Sequence, residues 1–202
     1  MKKFLSAIIL MIICAAGTNC FAASSGAMRL GILPVFKASS VTANMTLDDT
    51  EIATSAIYAG LSNCPDFELL SRTDVDKVVQ EHELTATGLV DDSTAPAFGK
   101  MLGAEYLLIT DITGLSNTKK GGKNNYVVTA RMAARIVEVE TGRMVLAATS
   151  SATSNVKVTG NLVRVGTNSF NSELADEALE KAAKDLVKNL LANLEAKKKA
   201  RR

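Results

Sequence analysis

Apolar positions along this chain change their spacing several times, and each change marks an element. From Met28 to Phe36 they are almost continuous, so Leu30, Ile32, Leu33 and Val35 read as a buried strand that Pro34, without an N–H, would end. The polar run KASSVTANMTLDD follows, where Thr46 or Asp48 can cap a helix reaching about Asn63. Its apolar face would hold Ile52, Ala56 and Ala59, widened by Ile57 and Leu61, and Cys64-Pro65 would stop it. FELL at 67–70 makes the next strand. Ser71 or Thr73 then caps a helix striped by Val75, Val78 and Val79, with Asp74 and Asp76 near its positive end. After the turn-rich TATGLVDDSTAP, Ser93 or Thr94 with Pro96 opens a short helix ending at Leu102, and AEYLLITDI returns to strand.

The second half carries the period of two. NYVVTARMAARIVEVETGRMVLAATSSATS reads as two long antiparallel strands joined at ETGR, and alternation continues through NVKVTGNLVRV with Gly160-Asn161 as a hairpin tip. From Ser172 the period becomes helical. Leu174, Ala178, Leu179, Ala182, Leu186, Val187, Leu190 and Leu194 form one stripe, with acids early and lysines late as the helix dipole favours. The order predicts one α/β (α+β) domain, three-layer-like, with helices packed on a mixed sheet, a long antiparallel hairpin in its second half and a long C-terminal helix.

The N-terminus changes the compartment. Lys2 and Lys3 precede an apolar run from Phe4 to Ala16, then small residues around Cys20-Phe21-Ala22, the plan of a signal peptide over residues 1–22. Asn19 before Cys20 does not fit a lipoprotein signal, so cleavage after Ala22 is expected, with acylation of Cys20 as the alternative. The domain then spans 23–202, in the periplasm or peripherally at the outer membrane. Of three cysteines only Cys64 would survive, which excludes an intramolecular disulfide.

Charge excludes one class of partner. Losing Lys2 and Lys3 brings the 23 basic residues down by two, level with the 21 acidic ones, and five bases sit in the tail 197–202. A neutral chain with a local basic tail does not predict nucleic-acid binding, which uses a basic face across the fold. The tail (Lys197, Lys198, Lys199, Arg201, Arg202) is either a solvated helix end or a contact with anionic lipid head groups.

No residue set predicts catalysis, a cofactor or a metal. Gly99-Lys100 is followed by Met101 where a phosphate-binding loop needs Ser or Thr, and here the helix precedes the pair and a strand follows, the reverse of that motif. Gly103 reads as the left-handed C-cap of that helix. His82 is the only histidine, Cys64 has no neighbouring base, and Asp91-Asp92 lacks further acidic ligands.

The segments LLSRTDVDKVVQE, GKMLGAEYLLITDITG and ARIVEVETGRMVLA, in this order, resemble the CsgG family, named for the curli production and transport component. LpoB, a lipoprotein activator of a penicillin-binding protein, is similar in build. The resemblance implies a non-enzymatic envelope domain that works through protein contacts and often as homo-oligomers. It also implies, for a secretion pore, two membrane hairpins and an aromatic constriction loop. The chain departs from both: LSNTKKGGKNN between Gly114 and Tyr126 is too short to cross a bilayer twice, the second candidate hairpin carries Lys157 and Arg164, and SSVTANMTLDD has no aromatic residue. The expectation is an adaptor meeting envelope proteins, or an anionic membrane surface, through Lys119, Lys120, Lys123, Lys157, Arg164 and the tail. A pore subunit and an LpoB-like activator stand as alternatives.

Overall fold

A computed structural model describes residues 26–38, 41, 47–81, 94–119, 125–157 and 172–200. Among these residues ten elements run β1 (Met28–Ile32), β2 (Phe36–Lys37), α1 (Leu47–Leu61), β3 (Phe67–Leu69), α2 (Arg72–Glu81), α3 (Ala95–Leu102), β4 (Tyr106–Lys119), β5 (Asn125–Glu138), β6 (Met144–Lys157) and α4 (Ser172–Ala200). The expected signal peptide, His82, Asp91, Asp92 and the expected tip at Gly160-Asn161 lie outside the described residues.

The sheet is mixed, in the order β3-β1-β4-β5-β6, with β2 also pairing β4. β1 is parallel to β3 and to β4, whereas β4, β5 and β6 are antiparallel. The crossovers from β1 to β3 and from β3 to β4 move in opposite directions across the sheet, so a common hand places their helices on opposite faces. One face accordingly packs α1 and α4 around Leu30, Ile32, Leu108, Met132 and Ile136. The other packs α2 and α3 around Leu107, Ile109, Val137 and Val139.

Three expectations need correction. The stretch 28–36 is not one strand: the Leu33 N–H still donates to the Leu108 carbonyl, the chain leaves the ladder at Pro34 as expected, and Phe36 resumes parallel pairing opposite Asp111. In α1 the buried line is Ala53, Ile57 and Leu61, with Asp49 and Thr54, while Ala59 is exposed. Alanine or isoleucine stands on several sides of this helix, so periodicity leaves its phase open. Third, β4 does not end with Ile112. It steps over a bulge between Ile112 and Gly114 and stays paired as far as Lys119 opposite Tyr126.

Helix boundaries follow the predicted caps. The Ser71 carbonyl accepts from Asp74 and Val75 at the start of α2, and Thr94 precedes α3, although its side chain makes no capping bond. Gly103 has φ 64° and ψ 27°. The Ala104 N–H reaches the Gly99 carbonyl at 2.8 Å and the Gly103 N–H reaches Lys100 at 3.1 Å, the paired closure of a Schellman end. All eight residues of the α4 stripe are buried.

The Thr110 hydroxyl on β4 is buried and has no partner among the described residues. A buried unsatisfied hydroxyl costs roughly 1–3 kcal/mol. Thr110→Val is therefore expected to stabilise the protein by about 1 kcal/mol, read as a rise in urea midpoint at constant slope. An unchanged or lower midpoint would show that the hydroxyl is satisfied.

Candidate interaction surface

β4, β5 and β6 are each 14 residues long and outrun the helices on one side. On the α4 side, Val128, Ala130, Met132, Ala134 and Ile136 are buried, and small residues on α4 (Ala175, Ala178, Ala182, Ala183) let it lie close to them. On the opposite side only the end nearest α2 and α3 is covered. There Val137 is buried, but Arg131, Thr149, Ser151, Thr153 and Asn155 are exposed. Arg135 is held across this face by Asp111 at 2.7 Å. The result is a flat, hydroxyl-rich sheet face carrying the exposed Arg131.

β6 is also an edge strand, and α4 closes part of that edge. Asn189 Nδ2 donates to the Thr149 carbonyl and Asn193 Nδ2 to the Ala147 carbonyl, both at 2.9 Å, and Lys197 Nζ donates to the Val145 carbonyl. Donors four residues apart on the helix thus meet carbonyls two apart on the strand, because four helical residues advance about 6 Å and two strand residues about 6.6 Å. An open edge pairs with other chains, so this ladder shields residues 145–149 from them.

The predicted lysines separate into two groups. Lys119 pairs with Tyr126 at the far end of β4, and Lys157 pairs with the adjacent Asn125, so both stand at one tip of the three-stranded ribbon. Lys120, Lys123, Arg164, Arg201 and Arg202 lie outside the described residues. Lys197, Lys198 and Lys199 stand at the other end of β6, about 40 Å away along a 12-residue strand distance. Lys198 joins Asp66 at 2.5 Å and Glu195 at 3.2 Å, and the Asp66 bond holds its ammonium above the usual lysine range. The helix continues through these residues to Ala200; Lys197 fastens it to β6 and Lys198 to the turn before β3. Sequence reasoning did not single out Asn189 or Asn193; the available signal was donors recurring every fourth residue along one flank of α4.

Gly99 and Lys100 resolve into packing. A Cβ at Gly99 would lie 2.1 Å from Val139 Cγ2 and 2.9 Å from its Cβ. Lys100 is exposed on the rim of a cleft of about 340 Å³ beside Glu105, Glu138 and Glu140, whose acids would repel a phosphate. Cys64 is half-buried and free, its Sγ 3.8 Å from an Asp66 carboxylate oxygen.

Tyr58 on α1 donates to the Ile32 carbonyl at 3.1 Å, tying the helix to β1. Burial, reinforced by Asp76 and opposed by Arg72, pushes its phenol up to about 12. A folded-state pKa above the unfolded value of about 10 gives stability that is complete below pH 10 and lost as pH rises toward 12. In Tyr58→Phe this alkaline component should be absent, as checked by urea midpoints between pH 9 and pH 12 alongside phenolate absorbance.

The architecture defines a three-layer α/β/α domain whose antiparallel ribbon outruns its helices. Compared with known families, the chain belongs to the CsgG family, described as curli production assembly/transport component CsgG, whose model matches residues 28–202. Among solved structures it is similar to the lipoprotein GNA1162 from Neisseria meningitidis, at 13% identity and TM-score 0.52, covering 80% of this chain and 99% of that one. The hypothetical protein CT253 from Chlamydia trachomatis is similar at 17% identity and TM-score 0.50, covering 84% and 96%. The C-terminal domain of LpoB from Escherichia coli aligns at 16% identity over 70% and 91% with TM-score 0.45. These likenesses describe the fold. No curated protein matches the chain.

Proposed function

We propose that this CsgG-family chain is a non-enzymatic adaptor or assembly factor of the bacterial cell envelope, exported to the periplasm and acting through protein contacts. Family membership supports the envelope setting. The observation that carries the choice of adaptor over pore is the free end of the ribbon. Beyond the bulge, β4 offers six residues, Gly114–Lys119, of which Ser116, Asn117 and Thr118 are exposed and polar. A membrane strand needs about 9–11 residues with an apolar lipid-facing side. Polar residues on both faces suit water and a protein partner instead.

The family description favours one second reading, a subunit of a secretion pore. Planar-bilayer recording distinguishes the two: the purified protein is expected to give no discrete conductance and to stay soluble without detergent. Stable single-channel steps from a detergent-dependent ring would overturn the adaptor reading. Photo-crosslinking in cells from Ser116, Thr153 and Lys199 positions should capture an envelope protein. An LpoB-like role would show a peptidoglycan synthase among the captured partners.

A further inference from the structure

The α4 ladder that closes the edge of β6 stops at Asp185. The flank of α4 facing that edge runs Lys197, Asn193, Asn189, Asp185, Lys181, Glu177 at four-residue spacing, and the first three donate to strand carbonyls. Thr149 points its carbonyl outward, β5 and β6 pair without irregularity from Leu146 to Lys157, and backbone direction alternates with period two. Ser151 and Thr153 therefore also turn their carbonyls and N–H groups to the open side. The residue level with Ser151 is Asp185, an acceptor where a donor would be needed. It makes no hydrogen bond or ion pair with any described residue.

An open cleft of about 380 Å³ lies where the ladder stops, lined by Ser151, Ala152, Thr153, Lys181, Lys184 and Asp185. Its two lysines are already engaged, Lys181 by Glu177 and Lys184 by Glu180, each at 2.6 Å. The unpaired charge facing the cleft is the Asp185 carboxylate. Ala152 adds no bulk on the helix side.

The geometry points to strand addition on β6 at Ser151–Asn155 by an extended segment of another protein that carries Lys or Arg on its α4-facing side. Its N–H groups would satisfy the outward carbonyls, and its base would meet Asp185. Charge selects this occupant over a second copy, since residues 150–155 of another copy, SSATSN, hold no base. This inference rests on the adaptor reading and locates its contact.

Fluorescence anisotropy of the full chain with labelled peptides of alternating Thr and Val tests it. A peptide with a central Lys is expected to bind at least tenfold tighter than its Glu counterpart, and N-methylation of alternate amides should abolish binding. Asp185→Asn supplies a third amide, and fourth donor, to the ladder and removes the charge, so it should weaken the Lys peptide at least tenfold. Asp185→Ala should erase the Lys-over-Glu preference while keeping amide-dependent binding. Hydrogen exchange should find the Ser151 and Thr153 amides unprotected until peptide is added. Equal binding to parent and Asp185→Asn protein would overturn the inference. So would protection of these amides in the free chain, or a concentration-dependent dimer lost in Asp185→Asn, since either means the edge is already covered. If crosslinking finds an envelope partner elsewhere while these peptides ignore β6, this inference falls and the adaptor reading stands.

Discussion

Gly99→Ala is expected to destabilise the protein by about 2–3 kcal/mol, although alanine is the better helix former by about 1 kcal/mol. The added methyl would meet all three outer atoms of the Val139 side chain, at 2.1, 2.7 and 2.9 Å. Turning Val139 about its first torsion does not move its Cβ, so α3 must lift from the sheet. That opens the cluster of Phe98, Val137 and Val139. In a Val139→Ala background the two closest contacts go while the Cβ contact at 2.9 Å stays, so part of the penalty should vanish, which a double-mutant cycle in urea reads directly. Gly60→Ala is the control, since its Cβ would sit 3.1–3.3 Å from Val187 and needs only a small adjustment. Lys100→Ala, at an exposed position, should change stability by less than about 0.5 kcal/mol. A Gly99→Ala protein as stable as its parent would show that α3 is free to shift, and a nucleotide site dependent on Lys100 would return Gly99-Lys100 to chemistry.

That pair shows what the sequence could and could not disclose. Element order and the missing Ser or Thr were enough to dismiss a phosphate loop, and Gly103 was readable as a cap because a left-handed end has a local signature. The reason for Gly99 was not local: its close neighbour Val139 stands forty positions away, just past β5. The same division holds elsewhere. ETGR was legible as a turn, and Gly142 takes φ 67° there with its N–H on the Glu138 carbonyl at 2.9 Å. The α4 stripe was legible because one long face meets one flat layer. The phase of α1 was not, since it packs against both the sheet and the neighbouring α4, and small apolar residues suit several orientations. The reach of β4 to Lys119 was hidden because Ser, Asn and Thr look like loop, yet β5 supplies partners for each. Of the candidate surface, the lysines were visible and the amide ladder was not, because side-chain bonds to a backbone 40 to 52 residues distant leave no contiguous motif.

Leu186→Ala is expected to cost about 3 kcal/mol, in the middle of the range for a buried leucine. Leu186 is 1% exposed, on the inner face of α4 in the cluster shared with α1, β5 and β6. Its surroundings include Ala178, Ala182 and Ala183, short side chains fixed to a rigid helix. They cannot swing in to fill the space, so the cavity should persist rather than collapse. The consequence reaches the edge, because Asn189 and Asn193 sit on the next two turns and hold the Thr149 and Ala147 carbonyls only while α4 is seated. Loosening the helix should thus expose residues 145–149 of β6 as well as lower stability. Two measurements separate these effects: urea denaturation gives the packing cost, and hydrogen exchange of the β6 amides reports the edge. Asn189→Ala with Asn193→Ala should raise exchange and concentration-dependent association, with a smaller stability loss of about 1–2 kcal/mol for two exposed hydrogen bonds. If Leu186→Ala lowers stability while β6 stays monomeric and protected, edge closure is independent of the helix core, and the three donors act as separate clamps.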